Sequence, residues 1–116
     1  MAVTLYGIPN CDTVKKARAW LQRHGVEHDF RNFKTEGVDK KLLKQWVDQV
    51  GIQTVFNRNS LTFKGLPAAD TEKLTEAKAR KLMIEHPSLI KRPVLEVNGR
   101  FYVGFKPDEY AALFGK

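Results

Sequence analysis

The residues predict an α/β fold: a βαβ unit, an inserted all-helical segment at approximately residues 38–87, and a closing ββα unit. Three observations carry that prediction. Strand, helix and strand patterns follow one another within residues 1–31. The middle of the chain then shows helical periodicity only. Near the end, Asn98-Gly99 separates two apolar runs, the strongest short-range hairpin signal, because both turn positions need positive φ.

Each element has its own warrant. Residues 2–6 form a short apolar run, read as a strand buried on both faces, and Gly7, Pro9 and Asn10 break it. A helix is expected from Asp12 to about His24. Val14, Ala17 and Leu21 share one face, and Gly25 is a natural stop. Residues 26–31 alternate, with Val26, His28 and Phe30 on one side, so a second strand follows. Two strands joined by a helix are most simply parallel, with a right-handed crossover. From Val38, apolar residues at Leu42, Leu43, Trp46, Val47 and Val50 make a helical stripe that ends at Gly51. Residues 52–67 are irregular, with a helical turn near Ile52 to Phe56 and a stop at Pro67. Thr75 is a candidate N-cap for a helix reaching Glu85, with Ala79, Leu82 and Met83 inward and Pro87 as its end. Residues 94–97 and 100–103 are the hairpin strands. Pro107 suits the first position of a last helix, with Asp108 and Glu109 where the macrodipole favours acids. With the helical segment set aside, βαβ followed by ββα is the thioredoxin-like arrangement. One domain, 1–116, is expected, with a core of residues 1–37 and 88–116 and an insert of 38–87.

Composition narrows the function classes. A chain of 116 residues with 42% apolar and 28% charged residues is an ordinary globular domain. No apolar run approaches the ~18 residues of a membrane span. The first residues show neither a basic n-region nor a cleavage site, so no signal peptide is expected. The expected location is the cytoplasm, without a membrane partner. The net charge is +7, divided almost evenly between the halves, with no basic tail or groove pattern. That excess fits a solvated surface better than a nucleic-acid interface, so nucleic acid is not an expected partner. His24, His28 and His86 have no ligand spacing among themselves or with the one cysteine, so no metal is expected. Trp20 and Trp46 lie in helical patterns and read as packing residues, and no Gly-rich phosphate loop is present.

The single cysteine, Cys11, is placed for chemistry. It stands after the first strand and at the start of the first helix, where free amides and the helix dipole stabilise a thiolate. Lys15 and Lys16 would add to that effect and Asp12 would oppose it. Val14 occupies the position of the second cysteine in a Cys-x-x-Cys motif. No internal disulfide can therefore resolve a mixed disulfide on Cys11, and an external thiol is implied.

The run YGIPNCDTVKKA at 6–17, the irregular segment carrying Arg58, and Ile90-Lys91-Arg92-Pro93 before the hairpin resemble the arsenate reductase and Spx (ArsC-like) family, most nearly its YffB-like branch. The resemblance covers nearly the whole chain. It implies that Cys11 is the nucleophile, that Arg92 stands beside it, that Pro93 is the cis-proline of the fold, and that Arg58 is a second arginine. Substrate contacts would fall on Asn10, Lys91, Arg92 and Pro93. The family's arsenate reductases carry a third arginine before the last helix. Here that stretch is Val103-Gly104-Phe105, and neither Arg100 nor Lys106 is a clean match.

These implications point to a thiol reductase that binds no cofactor and uses glutathione as co-substrate, with glutathione or glutaredoxin releasing the product. Catalytic roles would belong to Cys11, Arg92 and Arg58. Arsenate reduction is one alternative, opposed by the missing arginine. A non-catalytic Spx-like regulator that binds RNA polymerase is another. Regulators of that kind typically carry Cys-x-x-Cys as a redox switch, and Val14 removes it.

Overall fold

A computed structural model describes residues 2–116. The elements run in the order β1 (Val3–Gly7), α1 (Asp12–Arg23), β2 (Asp29–Asn32), α2 (Phe33–Glu36), α3 (Lys40–Val50), α4 (Ile52–Val55), α5 (Leu61–Lys64), α6 (Ala68–Thr71), α7 (Glu76–Glu85), a 3₁₀ turn (Pro87–Leu89), β3 (Val94–Val97), β4 (Arg100–Val103) and α8 (Pro107–Phe114). The chain divides into two units. The first comprises the residues up to Phe33 together with Arg92–Lys116; the second is Lys34–Lys91.

The first unit is built on one four-stranded sheet of order β2-β1-β3-β4. β1 pairs with β2 in parallel, and with β3 antiparallel, and β3 pairs antiparallel with β4. Period-2 alternation sends Val3 and Leu5 to one face, where Leu95 and Val97 of β3 join them. Ala17, Trp20 and Leu21 of α1 and Tyr110 of α8 complete that core. Trp20 stacks on His24 at 3.9 Å between ring centres and meets Tyr110 edge-on at 5.6 Å. Asn98 and Gly99 turn the hairpin with φ of 51° and 83°, as the dipeptide requires.

Two elements depart from the sequence pattern. β1 is buried on the Val3/Leu5 face only, and Thr4 and Tyr6 are half-buried rather than enclosed. The second strand starts at Asp29, not Val26. The Val26 amide instead donates to the Leu21 carbonyl at 2.9 Å, and His28 Nδ1 bonds the Val26 carbonyl at 2.9 Å. Those bonds close the exit from α1 and use the backbone groups that a longer strand would need.

The second unit is helical, joined by one bridge between Phe56 and Ile90. Asp39 caps α3 by accepting from the Lys41 amide, and Thr75 caps α7 by accepting from the Lys78 amide. Leu43, Trp46 and Val47 of α3 are buried, as are Ala79, Leu82 and Met83 of α7. The irregular stretch after Gly51 resolves into the three single-turn helices α4, α5 and α6. No helix among the described residues is long and apolar enough to cross a membrane.

Candidate functional site

Cys11 is delivered by a tight turn at the carboxyl end of β1. Its amide donates to the Ile8 carbonyl at 3.1 Å, and its carbonyl accepts from the Lys15 amide at 2.9 Å. The residue is therefore the N-cap of α1, with extended backbone angles and a half-buried side chain. Three residues separate Gly7 from Cys11, so the cysteine stands just past a strand whose partner β2 runs parallel to it. That is the usual place for chemistry in such sheets.

The environment favours the thiolate. Burial pushes the Cys11 thiol up, but the Val14 amide, the hydrogen bond from the Arg92 guanidinium, the Thr13 amide and the charge of Arg92 together outweigh it. The net result is a pKa below the ordinary thiol value. The neutral side chain closes no capping hydrogen bond of its own. The Val14 and Thr13 amides nevertheless favour the charged form of the sulfur. Asp12, Lys15 and Lys16 are not among the groups that shift it. The counterweight expected from Asp12 comes from burial instead.

Arg92 and Pro93 lie in the same unit as Cys11, on the segment entering β3, and the peptide between them is cis. Pro93 is buried, and its carbonyl accepts from the Gly104 amide at 2.8 Å. Residues 103–105 therefore do stand beside the Arg92-Pro93 segment, at the place where no arginine is present. Arg100 pairs with Val97 at the turn of the hairpin, the opposite end of β3 from Arg92. Lys106 is exposed and is the N-cap of α8. Asn10 is exposed in the turn before Cys11.

Arg58 and Lys91 belong to the helical unit. Both line a cleft of about 570 Å³, together with Gln53, Asn59 and Glu76. Pairing of the two segments brings them there. The Asn57 amide donates to the Leu89 carbonyl at 2.7 Å, and the Lys91 amide to the Val55 carbonyl at 2.8 Å.

One pair was not visible in the sequence. The Tyr6 hydroxyl donates to Glu96 Oε1 at 3.2 Å across β1 and β3. Burial, then the charge and hydrogen bond of Glu96, raise the Tyr6 pKa to about 12. The only signal for it was a glutamate inside an otherwise apolar strand. No group of three His, Cys, Asp or Glu among the described residues is arranged to hold a metal ion.

Residues 6–113 match the model of the ArsC family. The chain belongs to the ArsC family. Among solved structures, the YffB protein is 53% identical, with a TM-score of 0.92, covering 96% of this chain and 97% of that one. An arsenate reductase (ArsC) related protein from Brucella melitensis is 46% identical with a TM-score of 0.78, covering 100% and 97%. Among curated relatives, the global transcriptional regulator Spx of Streptococcus agalactiae is 33% identical over 113 residues, covering 96% of this chain and 82% of that one. The α/β architecture with its mixed sheet is that of the family. Its members include both proteins related to arsenate reductases and regulators.

Proposed function

We propose that this ArsC-family protein is a glutathione-dependent thiol reductase in which Cys11 is the nucleophile. The observation that carries the proposal is the convergence of the Val14 and Thr13 amides and the Arg92 guanidinium on a half-exposed sulfur. A structural cysteine needs none of these. A nucleophile needs its thiolate populated near neutrality and open to attack.

The reaction would run in two exchanges. The Cys11 thiolate attacks the glutathione sulfur of a mixed disulfide. A bond forms between Cys11 and glutathione, the acceptor's own sulfur leaves as thiolate, and it takes a proton from water. A second glutathione, as thiolate, attacks the glutathionyl sulfur on Cys11. Glutathione disulfide leaves and the Cys11 thiolate returns. The net reduction draws its two electrons from glutathione, with the mixed disulfide as oxidant. Glutaredoxin supplies the second thiol equally well in this scheme. Arg92 holds the thiolate form, and the planar fork of Arg58 suits the carboxylates of an anionic thiol. Asn10, Lys91 and Pro93 are the further substrate contacts of the proposal. The reaction is thiol exchange and takes place in the cytoplasm, with no bound cofactor.

A regulatory role is the second reading, favoured by the likeness to the Streptococcus agalactiae Spx protein. The single cysteine weighs against a version that depends on an internal disulfide.

Alkylation by iodoacetamide across the pH range separates the two. The enzyme reading expects an inflection below the ordinary thiol value of about 8.5, moving up in Arg92→Ala, and a mixed disulfide on Cys11 after incubation with oxidised glutathione. An inflection at or above the ordinary value, or no labelling before unfolding, sinks it.

A further inference from the structure

We propose that Gly7 and Val14 are a positioning pair: the missing side chain at 7 makes the notch that seats Val14, and that seat holds the first turn of α1 with its amides toward Cys11. The inference rests on the nucleophilic reading of Cys11 and adds to it the device that sets the geometry.

Gly7 is unlike most glycines of this chain. Six others adopt positive φ, where a side chain is strained by backbone alone. Gly7 does not, so its smallness has another cause. A Cβ built there would lie 2.7 Å from Val14 Cγ2 and 3.2 Å from Val14 Cγ1. Ordinary van der Waals contact begins near 3.4 Å, so any side chain at 7 must push Val14 away. No other glycine meets an atom this closely.

Val14 has little freedom to yield. It is fully buried, and its branched side chain is stiff at χ1. Further along α1, Ala17, Trp20 and Leu21 are locked into the sheet core. The cheapest response to a methyl at 7 is therefore a tilt or lift of the first turn, which carries the Val14 and Thr13 amides with it. The effect of these amides on the sulfur is directional, so a displaced first turn weakens it directly. Among charged groups, the Arg92 guanidinium lowers the Cys11 pKa, and it comes from the segment entering β3, not from α1. A displaced first turn would leave Arg92 in place and remove the amide contribution alone.

The same contact gives residue 14 its orientation. Its side chain is packed against the end of β1 while its backbone N–H serves Cys11. The position that would hold a resolving cysteine is here spent on seating the helix.

The test is the pH profile of Cys11 alkylation in Gly7→Ala, Val14→Ala and the double variant, with urea unfolding run alongside. Gly7→Ala should move the inflection upward and slow alkylation several-fold at neutral pH. The double variant removes the methyls that the new Cβ meets, so it should return the inflection toward that of the unmodified protein while remaining less stable. Val14→Ala alone empties the seat, so it should lose stability and move the inflection upward by less than Gly7→Ala does. Val14→Ile, which enlarges the same contact from the helix side, should shift the inflection upward even if Gly7→Ala does not fold. An unshifted inflection in both folded enlarging variants overturns the proposal. So does a double variant as displaced as Gly7→Ala, which would show that the clash is not the cause. If the unmodified protein already titrates as an ordinary thiol, the nucleophilic reading has failed, and that result is distinct from either.

Discussion

Replacing Tyr110 with Phe should stabilise the protein. Tyr110 is fully buried, and among the described residues its hydroxyl has no hydrogen-bond partner. The phenol sits in an aromatic cluster, edge-on to Phe105 at 4.8 Å and to Trp20 at 5.6 Å. Burial, and then the charge of Glu109, push its pKa far above the ordinary tyrosine value. A buried polar group left unpartnered costs about 1–3 kcal/mol. Removing one oxygen leaves a void of roughly 15 Å³, which at about 24 cal/mol per Å³ costs about 0.4 kcal/mol. The ring contacts stay. The difference is a gain of about 1–2 kcal/mol, or a rise in Tm of about 4–8 °C for a domain of this size. Thermal and urea unfolding of the two proteins at neutral pH would measure it, with Cys11 alkylation as a check that the site is undisturbed. A fall in Tm with an unchanged fold would refute the reasoning, because it would mean that the hydroxyl has a partner worth keeping.

Two further outcomes follow from the site. Because the folded-state pKa of Cys11 is depressed, its contribution to stability is fully present above the unfolded thiol's value of about 8.5 and is lost as pH falls through the folded value. The stability difference between the native protein and Cys11→Ser should therefore rise with pH across that interval, and a flat difference would contradict the depressed pKa. Arsenate reduction with glutathione and glutaredoxin supplied should be weak or absent, because no arginine stands at 103–105 and Arg100 is at the far end of β3. Robust arsenite release would show that two guanidiniums suffice or that Lys106 replaces the third.

What could be read from the sequence was whatever depends on neighbours in the chain. The Asn98-Gly99 turn, the Thr75 cap, Pro107 opening α8 and Gly51 closing α3 are all local chemistry, and each stands where the pattern put it. Cys11 at a helix start is also local, which is why the free amides could be anticipated. Alternation at Val26 and His28 misplaces the start of β2 because it says nothing about where the backbone bonds go: the Val26 amide closes onto α1 and the Val26 carbonyl onto His28. Proximity in sequence is a poor guide to the charges at Cys11 for a related reason. Asp12, Lys15 and Lys16 are close in sequence, yet a helix fans side chains around its axis, and the guanidinium that lowers the Cys11 pKa is that of Arg92, eighty-one positions away. Gly7 looked like a strand breaker. Its closeness to Val14 is a packing fact that no local pattern announces.

One cysteine suffices for the proposed thiol exchange only if a second molecule completes it. In the proposed exchange, the groups that favour the Cys11 thiolate are backbone amides and a guanidinium. A second cysteine at position 14 would offer an internal exit from any mixed disulfide; a buried valine offers none. The oxidised state of Cys11 must therefore persist until another molecule's thiol arrives. Whichever role the chain plays, its rate of return to the thiolate is set by that partner's access to Cys11. The partner that restores the thiolate is accordingly the quantity to measure first, by following decay of a preformed glutathione mixed disulfide with glutathione or with glutaredoxin in turn. Release by glutathione alone at a rate competitive with glutaredoxin would make the protein a self-sufficient reductase. Release by glutaredoxin only would make Cys11 a carrier whose turnover belongs to a second protein.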